Sequence, residues 1–108
     1  MQKTVESFIR AVNAFDVDGV LSLFTPDAVI DDASVGDAFV GREGVRDYLG
    51  RFFVGYHTRS KLLSLEGLDD FNAVARLDFT GDFGHEIGIL KIVVNVDGLI
   101  ERIDADLE

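Results

Sequence analysis

The sequence predicts an α+β chain: three N-terminal helices packed on a curved, mainly antiparallel or mixed sheet, shaped around an apolar pocket. Apolar residues recur at helical spacing through Phe53 and at spacing two from about His57 onward. One short strand interrupts the helices, and four meandering strands follow them. The positions that face inward under both periods are nearly all apolar, and the chain's nine Phe against no Trp suggest a Phe-rich interior.

Val5, Phe8, Ile9, Val12 and Phe15 set the first helix, with Thr4 as its expected cap and Glu6 in its first turn. Asp16-Val17-Asp18-Gly19 breaks it. Val20, Leu21, Leu23 and Phe24 give a short second helix, capped by Asp16 or Asp18 and ended by Thr25-Pro26, because proline cannot continue the ladder. Ala28 to Asp32 reads as a strand and Ala33 to Gly41 as a polar loop. Val45, Tyr48, Leu49, Phe52 and Phe53 mark the third helix, with Gly55 as its stop.

Arg59 to Glu66 is the next strand. In the one after it, Ala73, Ala75, Leu77 and Phe79 share a face, with Val74, Arg76 and Asp78 opposite. His85 to Val94 is a long strand, and Asn95-Val96-Asp97-Gly98 is a hairpin signal because Asp-Gly tolerates positive φ. Leu99 to Leu107 closes the sheet. The His85 strand is apolar on both faces, with Ile87, Ile89 and Val93 on one and Leu90, Ile92 and Val94 on the other. Helices cover one face only, so a homodimer through the outer sheet face is expected; the alternative is partial exposure of a few aliphatics.

At 108 residues the chain is expected to be one domain, residues 1–108. A net charge of −10 argues against nucleic acid and anionic membranes as partners. The absence of Cys excludes disulfides, thiolate catalysis and Cys-based metal sites. Met1-Gln2-Lys3-Thr4 lacks a signal-like apolar run, and no stretch has the roughly 18 uncharged apolar residues of a membrane span. A cytoplasmic location is the default expectation.

Val29-Ile30-Asp31-Asp32 is the most informative spot. Alternation puts Asp32 on the face of Ile30 and Asp31 on that of Val29, so at least one carboxylate should lie near apolar surface. Desolvation there would raise its pKa and make it a usable base near neutral pH. The alternative is that both carboxylates are solvated at the strand end.

The stretch from Phe8 to Leu49 resembles the N-terminal half of the ketosteroid isomerases and SnoaL-like polyketide cyclases of the nuclear-transport-factor-2-like superfamily. The resemblance rests on Asn13-Ala14 leading to Asp16-Val17-Asp18-Gly19, then Phe24, Asp27-Ala28, the Asp31-Asp32 pair, and Gly41 nine residues after Asp32. It implies a cone, in which the curved sheet wraps a deep pocket closed by helices, and it implies Asp32 as a general base moving a proton α to a carbonyl. It also implies what is missing. The isomerases carry a Tyr on the first helix and a protonated acid on a later strand as oxyanion donors. The corresponding positions here are Phe8 and Leu90, and neither can donate.

The same alignment implies a pocket lined by Phe8, Val12, Phe15, Tyr48 and Phe52 from the helices. From the strands it implies Ala75, Leu77, Phe79, Glu86, Gly88 and Leu90, then Ile103, Ala105 and Leu107. Such a wall suits a small apolar ligand. Glu86 is either a second acid or base facing Asp32 or a rim residue; Tyr48 either donates to a ligand oxygen or packs its helix. His57 and His85 read as surface residues, and no spacing such as HExxH marks a metal site.

The expected function is small-molecule binding, with isomerisation or aldol-type cyclisation of an apolar carbonyl compound through Asp32 and no cofactor implied. One alternative is a non-catalytic binding or dimerisation module. Another is hydrolysis of the limonene epoxide hydrolase type, which Arg76 and Asp78 resemble. It needs both inside the pocket with a third carboxylate from Asp104 or Asp106; a surface ion-pair network is the competing reading.

Overall fold

The computed structural model describes residues 1–108. Its elements run α1 (Gln2–Asn13), α2 (Val17–Leu21), β1 (Phe24–Asp32), β2 (Asp37–Val40), α3 (Gly41–Leu49) continued by one wide turn at Gly50–Val54, β3 (Arg59–Gly67), β4 (Asn72–Gly81), β5 (Gly84–Val94) and β6 (Ile100–Leu107). The helices pack on one mixed sheet of six strands in the order β2-β1-β6-β5-β4-β3. Only β1 and β6 run parallel; the other pairs are antiparallel.

The helical periodicity becomes packing directly. Val5, Phe8 and Val12 are the buried face of α1, and Val45, Tyr48 and Leu49 that of α3. Asp16 caps α2 by accepting from Gly19 N at 3.0 Å. Asn13 ties α1 to the edge of the sheet: its amide donates to Ser60 O at 2.9 Å and its Oδ1 accepts from Ser60 N at 2.7 Å. One side chain thereby satisfies two backbone groups of the edge strand β3.

Several boundaries differ from expectation. Helix α1 starts before Thr4, whose hydroxyl donates to Gly98 O at 3.3 Å instead of capping. Helix α2 ends at Leu21, so Phe24 belongs to β1 and Pro26 lies inside that strand. The β1–β6 register shifts between Phe24 and Val29, where a proline without an N–H can sit. The loop expected at Ala33 to Gly41 contains β2, paired antiparallel with β1. The third helix therefore follows two strands where one was expected. Gly41, at φ +75°, makes the sharp entry into α3 that a side chain would strain.

The inward and outward faces of the late strands follow the alternation. Ala73, Ala75 and Leu77 are buried, as are Leu90, Ile92 and Val94. Val74, Arg76 and Asp78 lie on the opposite face, where Ile87, Ile89 and Val93 are half-buried. The hairpin after β5 has Gly98 at φ +81°, with Asn95 Oδ1 accepting from Asp97 N and Leu99 N. No helix is long and apolar enough to cross a membrane.

Candidate functional site

Between the helices and the inner sheet face lies a cavity of about 320 Å³ lined by 18 residues, 13 of them hydrophobic. Buried Phe8, Ile30, Leu90 and Ile103 form its deep wall, and Val35, Tyr56, Phe83 and Leu107 stand exposed at its mouth. Aromatic rings dominate the helical side. Tyr48 packs on Phe39 and Phe52 with centroids 5.0 and 5.1 Å apart, and Phe53 meets Phe79 edge-on at 6.1 Å. A methyl group on Gly88 would lie 2.5 Å from a Phe79 ring carbon, so this glycine makes the room in which that ring lies.

Strand alternation sorts the two carboxylates at the end of β1. Asp31 is on the outer face, paired with Arg102 at 3.1 Å. Asp32 follows Ile30 inward, is only 7% exposed, and lines the cavity. Its Oδ1 accepts from Ser34 N at 2.9 Å and Ser34 Oγ at 2.6 Å, and its Oδ2 accepts from Tyr48 Oη at 2.5 Å. A carboxylate offers about four lone-pair sites, so three converging donors hold the group and leave about one free for a ligand. Burial, then the hydrogen bond to Asp32 and its charge, push the Tyr48 phenol far above its ordinary range, so it stays a donor. That donor is committed to Asp32 and not to a ligand oxygen.

Of the expected lining residues, Phe8, Tyr48 and Phe52 contribute from the helices, and Phe79, Glu86, Leu90 and Ile103 from the sheet, with Ala105 and Leu107 beside them. Val12, Ala75 and Leu77 do not reach the cavity; they are buried in the core. Phe15 also lies elsewhere: it leaves α1 at φ +56°, which turns its ring toward His57 and beneath Arg59. Glu86 stands opposite Phe79 on the inward face and is exposed toward the mouth.

Arg76 and Asp78 lie outside the cavity, paired with Glu108 at 2.7 Å and His85 at 2.8 Å. The alternation that buries Leu77 turns both outward, which removes the Arg76–Asp78 hydrolase reading. His57 pairs with Asp82 at 2.9 Å, so both histidines are surface residues. No three His, Asp or Glu side chains converge as a metal-binding group.

Sequence reasoning missed Ile30 and Phe53 as lining residues, and also Ser34, Val35, Tyr56, Thr58 and Phe83, which enter from turns and connections where periodicity carries no signal. Tyr56 is the notable one. Ser34 and Tyr48 donate to Asp32, and the Thr58 hydroxyl donates to Phe52 O at 2.6 Å. Tyr56 is left as the lining hydroxyl with no intramolecular partner.

A family model described as a SnoaL-like domain matches residues 5–100. The chain belongs to the SnoaL-like domain family. Its fold is similar to that of SalBIII, an epoxide hydrolase/cyclase-like enzyme with a role in pyran ring formation in the polyether salinomycin. That likeness has a TM-score of 0.86 at 22% identity and covers 99% of this chain and 89% of that one. A Mycobacterium tuberculosis protein in complex with estradiol-17beta-hemisuccinate aligns with a TM-score of 0.85 at 20% identity, covering 96% and 90% of the two chains. A Sinorhizobium meliloti protein described as a candidate polyketide cyclase aligns with a TM-score of 0.85 at 21% identity, covering 95% and 93%. At these identities the likeness shows the fold. No curated protein matches the sequence.

Proposed function

We propose that this SnoaL-like protein binds a small ring-containing carbonyl compound and moves a proton at the carbon next to the carbonyl, with Asp32 as the base. The observation that carries this reading is the placement of a single buried carboxylate, held by three neutral donors, in an otherwise largely apolar cavity. A volume of about 320 Å³ falls at the lower end of the range for ligand pockets and fits a compact ring system.

In this reading the carboxylate takes the α-hydrogen as a proton. The C–H electron pair passes into the enolate, whose oxygen accepts from the Tyr56 hydroxyl. Return of the proton to the same carbon, or to the far end of a conjugated system, completes exchange or isomerisation; attack of the enolate carbon on a second carbonyl of the ligand gives cyclisation. Tyr48 and Ser34 act through Asp32 and are positioning residues. Phe8 and Leu90 supply no donor, so the oxyanion support differs from that of the ketosteroid isomerases. The occupants of related folds include estradiol hemisuccinate, which supports a ring-sized ligand.

The test is deuterium wash-in at the α-carbon of 2-tetralone, a neutral bicyclic ketone, followed by NMR in D₂O. Wild type is expected to accelerate exchange above the buffer rate and Asp32→Asn to lose about 10²- to 10⁴-fold of that acceleration. Binding without acceleration would instead favour a non-catalytic binding protein. We also propose that two copies pair through the outer sheet face, where Ile87, Ile89 and Val93 are half-buried in one chain. Light scattering should give twice the mass of 11.9 kDa.

A further inference from the structure

We infer that the same cavity selects its ligand by charge and takes a ring ketone that also carries a protonated amine. This rests on the ligand-binding reading above and adds the electrostatic class of the ligand. Besides tyrosines, the ionisable side chains on the inner wall are Asp32 and Glu86; Asp106 borders the cavity, but its side chain alternates outward with Asp104, opposite Ile89. None of the 18 lining residues is Lys, Arg or His. Nearby guanidinium groups are occupied elsewhere. Arg51 lies 5.7 and 5.0 Å from the Phe39 and Phe52 ring centroids, Arg76 pairs with Glu108, and Arg102 with Asp31 and Asp104.

Two further observations point to a cation rather than to solvent alone. Asp32 is more than nine-tenths buried and aimed into the cavity, and every donor it accepts from is neutral, so its charge has no ionic partner. At the mouth, Tyr56 packs edge-on against Phe83 at 5.8 Å and is tilted against Phe52 at 6.2 Å. Aromatic faces beside a carboxylate are the surroundings in which an organic ammonium is stabilised by both ring quadrupole and charge. Glu86 adds a carboxylate with no partner within the chain, on the inward face opposite Phe79. An anionic ligand would meet two carboxylates, Asp32 and Glu86, and no cation. A ring amine seats its ammonium by Glu86 and Phe83 while its hydrocarbon skeleton fills the deep wall.

The test uses three ligands of one skeleton, 2-naphthylmethylamine, 2-naphthylmethanol and 2-naphthoate, titrated calorimetrically at pH 7 and low salt. The amine is expected to bind about tenfold tighter than the alcohol, and the carboxylate at least about tenfold weaker. In Glu86→Gln, an exposed position whose change leaves the core intact, the amine–alcohol gap should shrink at least about threefold, the amine losing more affinity than the alcohol. A carboxylate binding as tightly as the alcohol, an amine binding no tighter than the alcohol, a gap unchanged in Glu86→Gln, or no binding of any of the three would each overturn the inference. Proton transfer from neutral 2-tetralone is read separately and survives a failure of the charge order.

Discussion

Asp31 and Asp32 are the same side chain one residue apart on β1, yet they occupy opposite chemistry. Asp31 is half-exposed on the outer face, and Arg102 bridges it to Asp104. Asp32 is buried on the inner face among rings and accepts only from neutral groups. The same division separates Arg76 and Asp78 from their neighbours Leu77 and Phe79 on β4. The sheet therefore keeps its ion pairs on one side and its cavity on the other. A carboxylate is informative about function here by its face and not by its type.

That division can be broken at graded cost. Tyr56→Phe removes the free hydroxyl of the cavity and should lower 2-tetralone exchange by about 10²-fold or more, the scale of losing one oxyanion donor, with binding little changed. An unchanged exchange rate would remove Tyr56 from the site. Gly88→Ala puts a methyl group where the Phe79 ring lies and should push that ring into the cavity. Ligand affinity is expected to fall about tenfold, and chemical denaturation should show about 1–3 kcal/mol of overpacking.

Tyr48→Phe sharpens the comparison through pH. The unfolded phenol titrates near pH 10, whereas burial and Asp32 hold the folded one far above its ordinary range. The folded chain keeps this proton while the unfolded chain loses it. The stability contributed is complete below about pH 10 and is lost as pH rises beyond it, by roughly 1.4 kcal/mol per unit. Tyr48→Phe should flatten that alkaline slope, measured by urea unfolding between pH 9 and about 11.5. The smallest effect is expected on the outer face. Arg102→Ala should cost under about 1 kcal/mol and leave 2-tetralone binding unchanged, because exposed ion pairs contribute little.

Much of this division is legible in the sequence. Period-two alternation places Ala73, Ala75 and Leu77 inside and Asp32 beside Ile30, as found. The apolar faces of α1 and α3 follow from period 3.6. What was not legible depends on three-dimensional closure. Strand β2 has four residues and gains its identity from pairing with β1. Phe15 keeps helical spacing but leaves the helix through a left-handed backbone. Val12, Ala75 and Leu77 face inward yet lie too deep in the packed core to touch the cavity. Tyr56 and Phe83 sit in turns, where side-chain direction has no period; their aromatic character next to Gly55 and Gly84 was the available signal.

The most direct measurement compares the two neighbouring carboxylates side by side. Asp31→Asn and Asp32→Asn would each be titrated with 2-tetralone and assayed for α-deuterium exchange. The structure predicts that both bind the ketone, that Asp31→Asn exchanges within about twofold of wild type, and that Asp32→Asn falls to the buffer rate. Equal exchange in the two variants, or exchange that persists in Asp32→Asn, would contradict the assignment of the inner carboxylate as the base.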